Sequence, residues 1–332
     1  MRVIKNPKRT RRVVAEKTTN SAKDQDLLHR FSFDELPVRG QWVRLNQTLE
    51  DAFANHDYPA GLETLMGEMF AAVAMFADNL KFEGAVTLQS SGEGVLSRSL
   101  VECRAQSHLR GLAHFDGEPN STPSPSALDP SLRSWLGEKA MLAMSLIPDD
   151  PDQNAYQGLV ELRNTKLQLD LEHYFDVSEQ LPTRLFLACR TDPTPCVTGL
   201  LLQRLPEDDL ANEVQIAEHE EGWSTVCALA ETVTEQELLA LPVTELLHRL
   251  FHELPCRLQP PRKLSFRCTC SRNKTDSTLY MLGSDELTQM LAEQGEITVS
   301  CELCGNDYRY DEIDINRLIK SGPNQPTSDA LH

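Results

Sequence analysis

The sequence predicts an α+β protein: a mainly antiparallel sheet domain with packed helices, then a helical linker region, then a small C-terminal four-cysteine domain. Three observations carry this expectation. A strongly amphipathic helical run occupies residues 61–80, and short β-rich runs separated by turn residues fill most of 85–206. Two cysteine pairs, "RCTCSR" at 267–272 and "SCELCGN" at 300–306, lie near the C-terminus with thirty residues between them. Strand runs joined by short turns favour antiparallel pairing over a βαβ repeat.

Composition sets the bounds. With 332 residues, 40% apolar and 25% charged, the chain can bury a sizeable core in two or three domains. The most apolar stretch, "LMGEMFAAVAMFADNL", is interrupted by Glu68 and Asp78 and falls short of the roughly 20 residues that a membrane span needs. No membrane partner is expected. The net charge of −18 is uneven: residues 1–23 hold eight Lys/Arg against Glu16 alone, about +7, leaving roughly −25 for the rest. Such a body repels nucleic acid. The basic start reads as a disordered tail, with an Arg-rich targeting segment as the alternative; it lacks the apolar centre of a secretory signal. Nine cysteines cannot all pair, and Cys103, Cys189, Cys196, Cys227 and Cys256 are scattered, which points to a reducing cytoplasm and to inert buried thiols.

The elements follow in order. "NQTLEDAFANHDYP" reads as a short helix with Asn46 as N-cap and Pro59 as stop. In the next run Leu62, Leu65, Met66, Met69, Phe70, Val73, Phe76, Ala77 and Leu80 keep three-and-four spacing, a stripe that suits a core face. "AVTLQS", "VLSRSLVECR" and "HLRGLAHFD" read as strands, and "DGEPNSTPSPSALDP", with four prolines, as a surface loop. "MLAMSLIP", "YQGLVELRN", "TRLFLACR" and "TGLLLQRLP" add strands, with a helical "LQLDLEHYFDVSEQ" among them. At Leu205-Pro206 the character changes, since "EDDLANEVQIAEHEE" holds seven acids and no Lys or Arg. Thr234 and Glu237 form a capping-box pattern, and "TELLHRLFHE" a further short helix. Residues 207–263 therefore read either as a marginally stable helical region or as an ordinary acidic linker. The expected divisions are 1–23 tail, 24–206 α+β domain, 207–263 linker, 264–322 cysteine domain and 323–332 disordered C-terminus.

Cys268 and Cys270 lie two apart in the β-like "LSFRCTCS", where both side chains leave one face. Cys301 and Cys304 bracket a turn ended by Gly305 and Asn306. Two thiol pairs suit one Zn²⁺, which accepts four thiolates tetrahedrally. Between them Ser284 reads as an N-cap, Leu287, Met290 and Leu291 as a helix face, and Gly295 as a stop. "YRY" and "DEIDINRLIK" follow. So few apolar residues imply that the metal supplies much of the stability, on the order of 10 kcal/mol for structural zinc. Four thiolates on one dication leave a charge of −2, which Arg267, Arg272, Lys274 and Arg309 are placed to ease. Whether the site is a static zinc ribbon or a redox switch stays open on spacing alone.

The C-x-C and C-x-x-C pairs resemble the signature of the 33 kDa chaperonin family of redox-regulated heat-shock holdases. "SEQLPTRLFLA" at 178–188, "GLLLQRLP" at 199–206 and "LHRLFHE" at 247–253 extend the resemblance from about residue 27 onward. It implies an ATP-independent chaperone for unfolding clients under oxidative and heat stress. The ligands of one zinc per chain would be Cys268, Cys270, Cys301 and Cys304 in the inactive reduced state. Hypochlorous acid, or peroxide with heat, would form the disulfides Cys268–Cys270 and Cys301–Cys304, release zinc, unfold the linker and cysteine domain, and yield an active homodimer.

Two other classes compete. A zinc-ribbon nucleic-acid-binding protein needs basic patches that this body lacks. A thiol oxidoreductase needs an exposed low-pKa C-x-x-C, whereas both pairs are better explained as mutual ligands. Nothing in the sequence assembles a conventional enzyme site; His248 and His252 share a helix face at i, i+4, and a solvated face explains them.

Overall fold

The computed structural model describes residues 25–79, 83–116, 131–206 and 212–322. The basic start, nearly all of the proline-rich loop and the C-terminal tail lie outside the described residues. Two mainly antiparallel sheets enclose one long helix, in line with the α+β expectation. Strands β1 (Leu27–Phe33) and β2 (Val38–Leu45) begin the first sheet. Helix α1 (Gln47–Phe53) and helix α2 (Ala60–Asp78) follow. Strands β3 (Gly84–Ser91), β4 (Leu96–Arg104) and β5 (His108–Phe115) form a meander. After helix α3 (Leu132–Leu136), strands β6 (Met141–Pro148) and β7 (Tyr156–Val160) complete it in the order β5-β4-β3-β6-β7. Helix α4 (Leu167–Val177) leads to strands β8 (Thr183–Arg190) and β9 (Cys196–Arg204), which return to the first sheet beside β2.

The stripe expected on 61–80 understates the burial of α2. Ala71 to Met75 are fully buried on every side because both sheets pack on the helix. Its length and composition would suit a membrane crossing, but its apolar surface is taken up by protein. Close approach is possible on each side where a strand carries glycine: a Cβ on Gly111 of β5 would lie 2.9 Å from Phe70, and one on Gly199 of β9 2.7 Å from Met75.

Asn46 occupies the N-cap position of α1, yet its side chain makes no cap bond. The Asp26 carboxylate does the work instead, accepting from the backbone N–H groups of Asn46 (3.2 Å), Gln47 (3.1 Å) and Thr48 (2.9 Å). An anion at a helix start satisfies its orphan donors wherever in the chain it comes from.

The acidic stretch continues as helix α5 (Glu213–Ala230), helix α6 (Glu235–Ala240) and helix α7 (Val243–Phe251). The Thr234–Glu237 capping box is present on α6, and Asn212 with Gln215 makes another on α5. These helices cover the outer face of the first sheet, where Trp223, Leu246 and Phe251 meet Phe31, Trp42 and Leu200 in a second core. Strand β9 is consequently buried on both faces, Leu201 toward α2 and Leu200 and Leu202 toward α5–α7, which accounts for its unbroken apolar run. The helical reading of 207–263 stops at α7. Strand β10 (Cys256–Leu258) and strand β11 (Arg262–Lys263) then pair antiparallel with β1. Arg262 reaches the buried Asp78 at the end of α2, 3.3 Å away.

Candidate metal centre

Strand β12 (Ser265–Phe266) runs parallel to β5 and carries the chain from the body to the cysteines. The strand expected through Cys270 ends at Phe266. The backbone N–H of Arg267 still bonds the Leu109 carbonyl (2.9 Å), but beyond it side chains hold the loop. Arg110 Nη1 of β5 donates to Thr269 Oγ1 at 2.6 Å, and Lys274 Nζ donates to the Thr269 carbonyl at 2.8 Å. Helix α8 (Arg272–Leu282) starts at once, capped by Ser271. The second pair sits after helix α9 (Ser284–Gln294) in the hairpin of strands β13 (Ile297–Ser300) and β14 (Asp307–Tyr310). Gly283, not Ser284, is the N-cap of α9, while Gly295 at φ +75° ends it as expected. The Gly305 N–H bonds the Cys301 carbonyl (2.8 Å) and the Cys301 N–H bonds the Asn306 carbonyl (2.9 Å), closing a knuckle that places Gly305 at φ +70°. Helix α10 (Glu312–Ser321), capped by Asp311, completes the module.

The fold brings Cys268, Cys270, Cys301 and Cys304 together, with all four Sγ atoms within 4.8 Å of one another. Cys268 and Cys301 are 3.7 Å apart and Cys270 and Cys304 3.4 Å apart. A tetrahedral ion with bonds of about 2.3 Å to sulfur sets its ligands about 3.8 Å apart, so the four thiols fit zinc. Burial opposes ionisation of Cys270, but hydrogen bonds from Tyr308 and the other thiols outweigh it and bring its pKa down to about 7. Burial pushes Cys268 and Cys304 up. A full set of thiolates therefore calls for a cation.

Two supporting groups escaped the sequence reading. Tyr308 Oη donates to Cys270 Sγ at 3.1 Å, and Arg110 arrives from a strand more than 150 residues upstream. Of the cations expected to ease the sulfur charge, Lys274 grips the cysteine loop at Thr269. Arg272 instead pairs with Asp314 (2.5 Å) and stacks 4.4 Å from the centre of the Tyr310 ring. Arg267 contacts His108. The module core is small: Leu279, Leu287, Ile297, Tyr310, Ile315 and Leu318 are its buried apolar members. The five scattered cysteines are free thiols, and burial pushes Cys103 up to about 12. His248 lies on the exposed face of α7, and His252 is exposed at its C-cap.

Fold and site together define a two-sheet α+β body joined to a C-terminal four-thiol module compatible with zinc. The sequence profile described as "Hsp33 protein" matches residues 26–311. The 33 kDa chaperonin of Hahella chejuensis is 38% identical over 297 residues, spanning 89% of this chain and 98% of that one. That of Nitrosococcus oceani is 38% identical over 310 residues, spanning 93% and 99%. The crystal structure of the Thermotoga maritima 33 kDa chaperonin superposes with a TM-score of 0.74 at 20% identity, covering 89% of this chain and 98% of that one, a likeness of fold. The chain belongs to the Hsp33 family.

Proposed function

We propose that the chain is an ATP-independent holdase switched by oxidation of its C-terminal thiols. One observation carries the reading: four sulfurs converge at zinc spacing in a module with six buried apolar side chains. Zinc, when bound, keeps the four thiolates in one place and supplies the stability that so small a core lacks. Cys268, Cys270, Cys301 and Cys304 are the ligands. On oxidation by hypochlorous acid, or by peroxide with heat, the thiolate pairs Cys268–Cys270 and Cys301–Cys304 each give two electrons to the oxidant as one S–S bond forms, hypochlorous acid taking up a proton to become chloride and water, or peroxide taking up two protons to become water. Sulfurs so paired no longer bind the ion, and residues 264–322 lose their order. Residues 207–263 loosen with them, because the module is anchored through β11 and β12 at the end of that segment. Unfolding proteins are the clients, and the oxidised form is a homodimer working in the cytoplasm.

The test compares reduced zinc-loaded chain with oxidised chain for suppression of aggregation of a thermally unfolding protein. Zinc release, thiol count and peptide mapping of the disulfides are followed in parallel. Suppression by the oxidised form alone, with one zinc and four thiols lost per chain, is the expected result. Equal activity in both states rejects redox gating.

A further inference from the structure

Strand β5 shows two chemistries on its two faces. Leu109 and Ala113 enter the core, while His108, Arg110, Leu112 and His114 point to the other side. Three of those four meet the cysteine module at residues directly beside the thiols. His108 Nε2 lies 3.3 Å from Arg267 Nη1, ahead of Cys268. Arg110 bonds Thr269, between Cys268 and Cys270. His114 Nε2 lies 3.7 Å from a Glu302 carboxylate oxygen, next to Cys301.

Arg110 is the best anchored of the three. Its Nε and Nη2 donate to the two carboxylate oxygens of Glu102 at 3.1 and 3.0 Å, a forked pair that leaves Nη1 free to aim at the loop. Glu102 stands opposite Arg110 on β4, and its side chain is only 8% exposed although it leaves the sheet on the side away from α2. Arg104 approaches the same carboxylate at 3.4 Å and pairs in turn with Asp149, so the anion is fixed from both sides. An exposed ion pair would hold nothing in place; this one is forked and largely desolvated.

We propose that Arg110, braced by Glu102, is a positioning residue for the thiol cluster: by gripping Thr269 it couples the order of the cysteine loop to the body, so that docking slows metal loss and metal strengthens docking. Such coupling is reciprocal by thermodynamic necessity. The inference rests on the zinc reading given above for the metal half of the coupling and on the contacts themselves for the docking half.

The experiment uses reduced, full-length, zinc-loaded chain and reads zinc transfer to a colorimetric chelator together with amide hydrogen exchange over residues 264–272. Thr269→Val removes the hydroxyl that accepts from Arg110 and, at 3.3 Å, from Lys274, and leaves the Arg110–Glu102 fork in place. Arg110→Met removes the donor. Each is expected to speed zinc loss about tenfold, the scale of outer-shell effects on metal sites, and to raise exchange in the loop. The double variant should speed release by well under the product of the two single effects, since the Arg110–Thr269 bond is the one that both changes delete. Arg110→Lys, which cannot fork, should restore only part of the retention. Wild-type release and exchange in Thr269→Val, or fully additive effects in the double variant, overturn the proposal. Should the wild-type chain hold no zinc, the metal reading falls, and unchanged exchange in Thr269→Val would still refute the docking role.

Discussion

Replacing Arg44 by methionine should loosen helix α6 while leaving the sheet beneath it folded. Arg44 is fully buried on β2, on the face that receives α5–α7. Its Nη2 donates to the carbonyls of Leu238 (2.9 Å) and Leu241 (2.8 Å), which end α6, and Nε to Thr198 Oγ1 (3.3 Å). The guanidinium also lies 4.8 Å from the centre of the Trp42 ring. A cation against the last carbonyls of a helix satisfies orphan acceptors and opposes the negative end of its dipole. Each charge-assisted bond contributes about 1.5–3 kcal/mol. Methionine refills much of the stem volume and relieves the desolvation of a buried cation, so the net local loss should be about 2–4 kcal/mol. Read by amide exchange across residues 234–251, that is an acceleration of roughly thirty- to seven-hundred-fold, with little change in β3–β6. Unchanged protection in 234–251 would refute the reasoning, as would equal loss throughout the chain.

Three further outcomes are expected. Tyr308→Phe removes the O–H donor to Cys270, so zinc affinity should fall about tenfold in a chelator competition while the fold measured by circular dichroism stays intact. Glu68 is pushed by burial from 4.5 up to about 7, with Lys166 opposing and Glu235 reinforcing the shift. The folded chain thus holds more protons than the unfolded chain between those values, and stability from this group falls as pH rises through that window. Glu68→Gln should accordingly raise Tm at pH 8 and leave it near wild type at pH 4.5 or below. Cys103, raised to about 12 by burial, should resist alkylation at pH 8 in native chain, whereas the four cluster thiols should label once a chelator has removed the metal; mass spectrometry distinguishes the sites.

What the sequence made legible was local. The long helix, the strands of the meander, the Thr234–Glu237 capping box and the two cysteine pairs each declare themselves within a few residues. What it hid depends on distant partners. Asp26 caps α1 from about twenty residues upstream, and β10 and β11 join β1 from more than 220 residues downstream. Strands β1 and β2 drew no expectation because charged and amide residues interrupt them. Gln41 is nonetheless buried, with its amide on Asp78, and Arg39 pairs with Gln203. The same holds at the site: the thiols were visible as a spacing, but Arg110 was only one arginine in a strand until the fold set it against Thr269. The strand expected through Cys270 stopped short because the loop gains more from side-chain bonds and sulfur convergence than from two more ladder pairs.

The most direct test of the account is amide exchange on the reduced full-length chain before and after zinc is stripped by a chelator. Protection should disappear across 268–321 and persist in β3–β6 and α2. A module that keeps its protection without metal would contradict the claim that sulfur-held zinc maintains its fold.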